Sequence, residues 1–461
     1  MNILYLIAAI CFIFSLKGLS SPETAYYGNV CGIVGMFLAG CAAYLAVDVP
    51  FGTSDLWFSL VAIVIGGGVG ITIAKSVSMT NLPQMVAGFH SLVGLAAVLV
   101  TFATYFAPEI FNIASVDGTI GKCSLLEMGI GAAIGAITFS GSVVAFLKLD
   151  GVYGGHNVSS AVNAFLASSV VSLITWFVIS ESIYALTLFT LFAFMLGFTL
   201  IAPVGGADMP VIVSMLNSYS GWATAGIGFT LQNDLLIIIG ALVGASGAIL
   251  SYVMCRGMNR SLCNVMFVSG ANRTSKTYNV VSKSSNSYSF RAGAPEDAAF
   301  ILKNAKSVII VPGYGMATSQ AQHSLKEFGD ILKKNGTSVR YAIHPVAGRM
   351  PGHMNVLLAE AGIPYEDVFE LDEINRDFAS CDVAYVVGAN DITNPATKND
   401  PSSSIYGMPV LEVEKAKIVL FLKRSIGCGY AGVDNELFYS QNTMMLLGDA
   451  KKTTESIIKA L

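Results

Sequence analysis

Between Met1 and Cys255 the chain carries no arginine and four lysines, Lys17, Lys75, Lys122 and Lys148, beside ten acids. The other 22 of its 26 basic residues and 20 of its 30 acids lie from Arg256 onward. Soluble domains carry about 25% charged residues. This partition therefore excludes a single water-soluble fold and divides the chain into a lipid-soluble front and a water-soluble back. Apolar runs long enough to cross about 30 Å of hydrocarbon stand at 30–47, 56–74, 85–106, 126–147, 161–179, 183–202, 210–231 and 235–255. A shorter run at 3–16 lacks the basic start of a signal peptide and counts as a further span, giving about nine.

Loop charges agree with that count. With the N-terminus outside, Lys17, Lys75, Lys148, Arg256 and Arg260 fall on one side, and Asp48, Asp55, Glu109, Asp117, Glu181 and Asp234 on the other. Lys122 is the exception. Positive loops stay in the cytoplasm, so the polar C-terminal part is expected there. The net charge of −4 argues against nucleic acid as a partner. The eight cysteines have no zinc or redox spacing; no metal site is expected, and they read as small packing residues. Cys381 and Cys428 fit a reducing compartment. The glycine pairs Gly28/Gly32, Gly131/Gly135 and Gly240/Gly244, and the cluster Gly66 to Gly70, suit close helix packing.

Ionisable groups inside a bilayer are costly and mark function. His90, in the run at 85–106, has a near-neutral pKa suited to proton exchange, although a lone histidine also serves as a hydrogen-bonded packing residue. Asp208, in Gly205-Gly206-Ala207-Asp208-Met209-Pro210, reads either as a group at the mouth of a path or as a loop carboxylate or helix cap. Asn217 begins a polar run with Ser218, Tyr219 and Ser220 that can line a wet path.

The segment 257–292 turns polar and Ser/Asn-rich and reads as a flexible linker, separating a membrane domain at 1–256 from a soluble domain at 293–461. In the latter, strands are expected at 307–311, 338–343, 383–387, 418–422 and 444–447, and helices at 317–334, 354–361 and 451–460. The alternation specifies a doubly wound, Rossmann-like α/β fold. Gly313-Tyr314-Gly315 between strand and helix resembles a phosphate turn, but Thr318 stands at the third glycine position, so the fingerprint is incomplete. The second strand ends Ile343-His344-Pro345 without the acid that usually binds a free ribose. Arg349 follows, and Lys423-Arg424 ends a later strand. Cations in place of the acid favour a 2′-phosphate, hence NADP; a solvated strand end is the other reading of the basic pair.

Long strings in this chain resemble the beta subunit of proton-translocating nicotinamide nucleotide transhydrogenase. In the soluble part they are Pro312-Gly313-Tyr314-Gly315-Met316-Ala317, the run from His344 to Asn355, Gly388-Ala389-Asn390-Asp391, and Gly429-Tyr430-Ala431-Gly432-Val433-Asp434-Asn435. In the front part they are Ala207-Asp208-Met209-Pro210, the run from Met215 to Trp222, and the run from Gly88 to Gly94. The resemblance implies a polytopic α-helical membrane bundle followed by a Rossmann-like NADP(H) domain, in a bacterial inner (plasma) membrane. It implies hydride transfer from NAD(H), held on a separate alpha subunit, to NADP(H) held here, coupled to proton translocation, in an alpha2-beta2 assembly. The implied NADP contacts are Gly313, Tyr314, Gly315 and Met316; Val346, Ala347, Gly348, Arg349, Met350 and Pro351; Gly388, Ala389, Asn390, Asp391 and Ile392; Gly407 and Met408; Lys423, Arg424, Ser425, Ile426, Gly427, Cys428, Gly429 and Tyr430; and Asp449 with Ala450. Lys423 and Arg424 would take the 2′-phosphate, and Tyr430 would belong to a lid. Asp391 would couple nucleotide state to the membrane, and His90, Asn217 and Asp208 would serve the proton path. No covalent or acid–base catalyst is expected, because direct hydride transfer requires only positioned rings and excluded water. Two rivals, a nucleotide-gated channel and an NADPH–quinone oxidoreductase, would call for a ribose acid in the first case and a flavin or iron–sulfur motif in the second; neither is visible.

Overall fold

The computed structural model describes residues 2–19, 24–46, 54–111, 113, 120–154, 156, 158–205, 208–259, 261–267, 290–350, 352–401, 403, 405–427 and 433–461. Lipid offers backbone groups no hydrogen-bond partners, so each apolar run closes on itself as a helix. Nine such helices are described: α1 (Asn2–Leu19), α2 (Ala25–Ala46), α3 (Ser54–Ser76), α4 (Leu82–Phe106), α5 (Lys122–Leu149), α6 (Ser160–Ser180), α7 (Ile183–Ile201), α8 (Met209–Thr230) and α9 (Asp234–Gly257). Seven are long and apolar enough to cross a membrane. The two others are α1, whose apolar run Ile3–Leu19 is shorter, and α8, interrupted by Ser214, Asn217, Ser218 and Ser220. Contacts group the chain into two compact units, 1–150 with 161–202 and 215–248, and 151–160 with 203–214 and 249–461.

In the first unit, small residues set helix spacing. A Cβ on Gly94 of α4 would stand 2.5 Å from the Gly135 carbonyl oxygen of α5, and one on Gly240 of α9 would stand 2.6 Å from that of Gly221 in α8. The expected glycine pairs thus lie at helix contacts. The cluster on α3 does not: Gly66, Gly67, Gly68 and Gly70 have no heavy atom within 4 Å of a built Cβ among the described residues. The polar helix α8 is buried over much of its length, with Leu216, Ser218, Ser220 and Ala223 all inside. Ser218 donates its hydroxyl to the Gly244 carbonyl of α9, 2.5 Å away. Lys148, in the last turn of α5, donates to the Ile201 carbonyl at 3.1 Å and to that of Ala202, satisfying the end of α7.

After α10 (Leu262–Phe267), residues 268–289 of the expected linker lie outside the described residues, and Ala292 already bridges Met445. There follow α11 (Pro295–Lys303), β1 (Ser307–Pro312), α12 (Tyr314–Thr318), α13 (Gln322–Lys334), β2 (Ser338–Ile343), α14 (His353–Glu360), β3 (Val368–Glu370), α15 (Leu371–Ile374), β4 (Val383–Val387), α16 (Ala396–Asn399), β5 (Ile418–Lys423), β6 (Thr443–Leu447) and α17 (Ala450–Ala460). The six strands form one parallel sheet in the order β3-β2-β1-β4-β5-β6. β4 is buried throughout, as strands covered on both faces must be. Tyr385 fills the interior against Phe328, with ring centroids 5.1 Å apart, and its hydroxyl meets Thr454 Oγ1 of α17 at 3.0 Å.

Two expectations change. The helix expected over 317–334 begins at Tyr314 and is broken. Ser319 Oγ donates to the Gly315 carbonyl at 2.6 Å, and Gln320 takes φ 51°; a side chain that competes for a helix carbonyl favours such a break. The short edge strand β3 went unanticipated because three residues have no readable period.

Candidate functional site

The order of strands reverses between β1 and β4, and the crevice above their carboxyl ends is where doubly wound sheets take ligands. Both tips carry glycine for a reason internal to the protein. A Cβ on Gly313 would stand 2.5 Å from Ala389 N, and one on Gly315 would stand 2.6 Å from Gly388 Cα. Gly388, at φ +65°, needs glycine on backbone grounds as well. The Gly313 amide donates to the Val387 carbonyl at 2.9 Å and the Gly315 amide to that of Gly388 at 2.8 Å. The glycines of the expected phosphate turn therefore serve the close approach of the β1 and β4 tips, and two of its amides are already bonded to β4 and its tip.

Beside it, Gly315, Thr318, Ser319, Gly388, Leu422, Lys423, Arg424, Ser425, Gly448 and Ala450 line an open cavity of about 200 Å³. Six of these were expected. Thr318, Ser319, Leu422 and Gly448 were missed as lining residues, although Gly448-Asp449-Ala450 at a strand-to-helix turn is a readable signal. Arg424 Nη2 donates to Asp449 Oδ2 at 3.1 Å, and Asp449 Oδ1 caps α17 by accepting from the Lys451 and Lys452 amides at 3.2 and 3.3 Å. Burial pushes the Asp449 carboxyl up, but those amides and Arg424 outweigh it and hold the group below its usual range. Lys423, Arg424 and the first residue of α17 thus line one small space, with the Asp449 carboxylate paired to Arg424 and capping the helix.

The remaining expected contacts fall into three clusters. In the first, the Arg349 guanidinium lies 4.6 Å over the Tyr314 ring, which meets the His353 ring at 6.1 Å. In the second, Val346 packs against the buried cluster of Ile405, Met408 and Val410, beside Gly407 at φ +78°. In the third, Asn390 accepts from Asn435 Nδ2 through its carbonyl at 3.2 Å and its Oδ1 at 3.1 Å, with Asp391 beginning the next turn. Met316, Ala347 and Ile392 are buried, so they shape the crevice from inside. Pro351, Cys428, Gly429 and Tyr430 lie outside the described residues. The flanks of the expected lid are anchored, with Lys423 Nζ donating to the Gly427 carbonyl and Asn394 Nδ2 to that of Asp434 at 3.0 Å. Among the described residues no His/Cys/Asp/Glu group could hold a metal ion.

In the first unit, His90 Nδ1 on α4 lies 3.1 Å from Ser220 Oγ on α8, and the same hydroxyl meets the Asn217 carbonyl at 2.8 Å. A hydroxyl has one proton. If it goes to the Asn217 carbonyl, Nδ1 must be the donor, leaving Nε2 as a buried acceptor without a protein partner among the described residues. Ser220 is thus the α8 residue that meets the expected His90, while its bond at Asn217 is to the backbone carbonyl one turn back; the sequence showed only that Ser220 was polar. Asp208, which belongs to the second unit, is buried just before α8.

A multispan helical region followed by a parallel doubly wound domain, with a basic pair at the sheet's ligand edge, defines a membrane protein of the dinucleotide-fold class. A profile described as NAD(P) transhydrogenase beta subunit matches residues 1–460, and the chain belongs to that family. It is 58% identical over 461 residues to two curated relatives, each named NAD(P) transhydrogenase subunit beta, from Rhodospirillum rubrum and from a named strain of it; the alignments span 99% of this chain and 98% of each relative.

Proposed function

We propose that this chain holds NADP(H) in the crevice above β1 and β4 and exchanges hydride with NAD(H) carried by an alpha subunit, driven by protons crossing its membrane helices. The observation that carries this reading is the pair Lys423-Arg424 at the cavity beside the start of α17, with no ribose acid at the end of β2. A 200 Å³ cavity is smaller than the roughly 300–1,000 Å³ of whole-ligand sites, and fits a phosphorylated ribose. The 2′-phosphate end would lie over β5 and α17, and the nicotinamide end toward Tyr314, Arg349 and Asp391, under the lid expected around Tyr430. The nucleotide itself supplies the redox chemistry. The protein's residues hold the ring, exclude water and sense the proton.

The two couples have nearly equal reducing power, so proton movement must bias the relative grip on NADPH and NADP⁺. One proton falling through an assumed ~150 mV supplies roughly 3.5 kcal/mol, about two and a half decades in a ratio. His90, with Ser220 and Asn217, supports a relay role, and Asp208 would stand at its mouth. Lys17, Lys75, Lys148 and Arg256 occupy the last turns of α1, α3, α5 and α9. Alternating helices put these ends on one face, which supports a cytoplasmic soluble domain in a bacterial inner membrane. The domain limits 1–256, 257–292 and 293–461 and an alpha2-beta2 assembly belong to the same proposal. The test is equilibrium binding to the full chain in detergent. NADPH should bind at least tenfold tighter than NADH, and Arg424→Met should lower NADPH affinity about 10- to 100-fold, as loss of a charge-assisted pair does. Equal binding of NADH and NADPH refutes the reading.

A further inference from the structure

The run Val346–Met350 is closed at both ends by histidine, and both imidazoles do the same unusual thing. The Val346 amide donates to His344 Nδ1 at 3.2 Å, and the Arg349 amide donates to His353 Nδ1 at 3.0 Å. A backbone N–H can only donate, so each Nδ1 must keep its lone pair and each ring must carry its proton on Nε2. At His344 the far side agrees, because Nε2 lies 2.7 Å from the Pro409 carbonyl, which only accepts; at His353 Nε2 is buried without a protein partner among the described residues, so only its Nδ1 contact fixes the tautomer. At His353 the ring has a built seat. Gly348 takes φ +104°, and a Cβ there would stand 2.6 Å from both Cβ and Nδ1 of His353, so only glycine lets the imidazole lie against the loop. Arg349 is thereby fixed twice, by its amide on His353 and by its guanidinium over Tyr314.

We propose that His344 and His353 are positioning residues for the nucleotide: neutral imidazoles whose Nδ1 acceptors hold the 346–350 run in its ligand-facing shape, and which release it when protonated. The proposal rests on the reading that this run meets NADP(H). Protonation turns each acceptor into a donor facing another donor. At His353 it also places a second cation beside Arg349, the charged group bearing on that ring, with Tyr314 of α12 the titratable side chain against its edge. At His344 the facing groups are the Val346 amide and the Pro409 carbonyl. Burial holds His344 down to about 4 against the pull of the Pro409 carbonyl, and burial with the Arg349 charge holds His353 down to about 4. Both folded-state values lie below the usual 6.5, so the held loop is intact at neutral pH and is lost as pH falls toward 4.

The experiment titrates NADP⁺, which is acid-stable, against the full chain in detergent from pH 7.5 to 4. Binding by the native chain at pH 7.5 tests the underlying reading first; if it is absent, that reading fails whatever the imidazoles do. The 2′-phosphate's own titration at about 6 lowers affinity in every variant alike; with both imidazoles titrating at about 4, the native chain should lose several-fold more than that by pH 4. In His353→Asn the amide oxygen stands where Nδ1 stood and cannot take a proton. This variant should bind within about threefold of native at pH 7.5 and show a smaller acid loss than the native chain at pH 4. His353→Leu, which has no acceptor, should bind at least tenfold more weakly at pH 7.5. Hydrogen exchange in β1 and β4 reports whether each variant is folded. The proposal is overturned if His353→Asn repeats the native acid profile, or if a folded His353→Leu binds NADP⁺ like the native chain.

Discussion

Replacing Gly388 by alanine should open the sheet at the contact between its two glycine tips. The backbone there sits at φ +65°, a conformation that costs an L-residue about 1–2 kcal/mol. The added methyl would stand 2.6 Å from the Gly315 carbonyl carbon and 2.7 Å from Met316 N. Both are backbone atoms, so the tips of β1 and β4 must part by roughly 1 Å, a strain of about 1–3 kcal/mol. The Gly315 amide to Gly388 carbonyl bond, now 2.8 Å, would stretch and lose about 0.5–1.5 kcal/mol. The sum, about 3–6 kcal/mol, is a large part of a domain's usual 5–15 kcal/mol. Slow-exchanging amides of β1 and β4 report that opening, and at 1.4 kcal/mol per decade their rates should rise about 10²- to 10⁴-fold. Gly336→Ala is the control. It shares a positive φ, +85°, but meets nothing within 4 Å among the described residues, so only the backbone cost applies and exchange should rise about 5- to 30-fold. If Gly388→Ala exchanges within a few-fold of Gly336→Ala, the tip-to-tip contact is not what demands glycine.

Three further outcomes follow from other parts of the molecule. Lys148→Met removes the cation that satisfies the Ile201 and Ala202 carbonyls at the end of α7 and should cost about 1–3 kcal/mol in thermal unfolding in detergent, with Lys148→Arg closer to native; a methionine variant that melts with the native protein refutes the cap. Asp382 accepts from Lys417 Nζ, from the Lys306 amide and from the Ser307 amide, and these bonds, Lys417 first, hold its carboxyl down to about 2. Its contribution is therefore present above pH 3.8 and lost as pH falls toward 2, so Asp382→Asn should be less stable than native at pH 7 and equal to it near pH 2 in denaturant titrations. Ser220→Ala removes the Nδ1 partner of His90; in vesicles with the alpha subunit it should slow proton uptake at least tenfold and leave NADP⁺ affinity unchanged, whereas undiminished uptake would take the pair off the path.

Much of the architecture was legible in the chain because long periodic signals reflect solvent alone. Apolar runs and absent charge mark helices in lipid, and short apolar runs with helices between them mark a parallel sheet. The basic pair at the end of β5 and the missing acid after β2 were readable for the same reason: a strand tip in this fold has a known place. The glycines at Gly313, Gly315 and Gly388 were legible as special positions, but the tertiary structure decided that they serve one another across β1 and β4. It likewise decided that the polar run of α8 is buried, that Ser220 meets His90 across 130 positions of sequence, and that the cluster Gly66 to Gly70 touches no neighbour among the described residues. Composition reports what each segment tolerates as surroundings. Which partner a hydroxyl, an imidazole or a bare backbone meets is fixed only when distant segments are packed to within a hydrogen bond of each other, and local sequence carries no record of that distance.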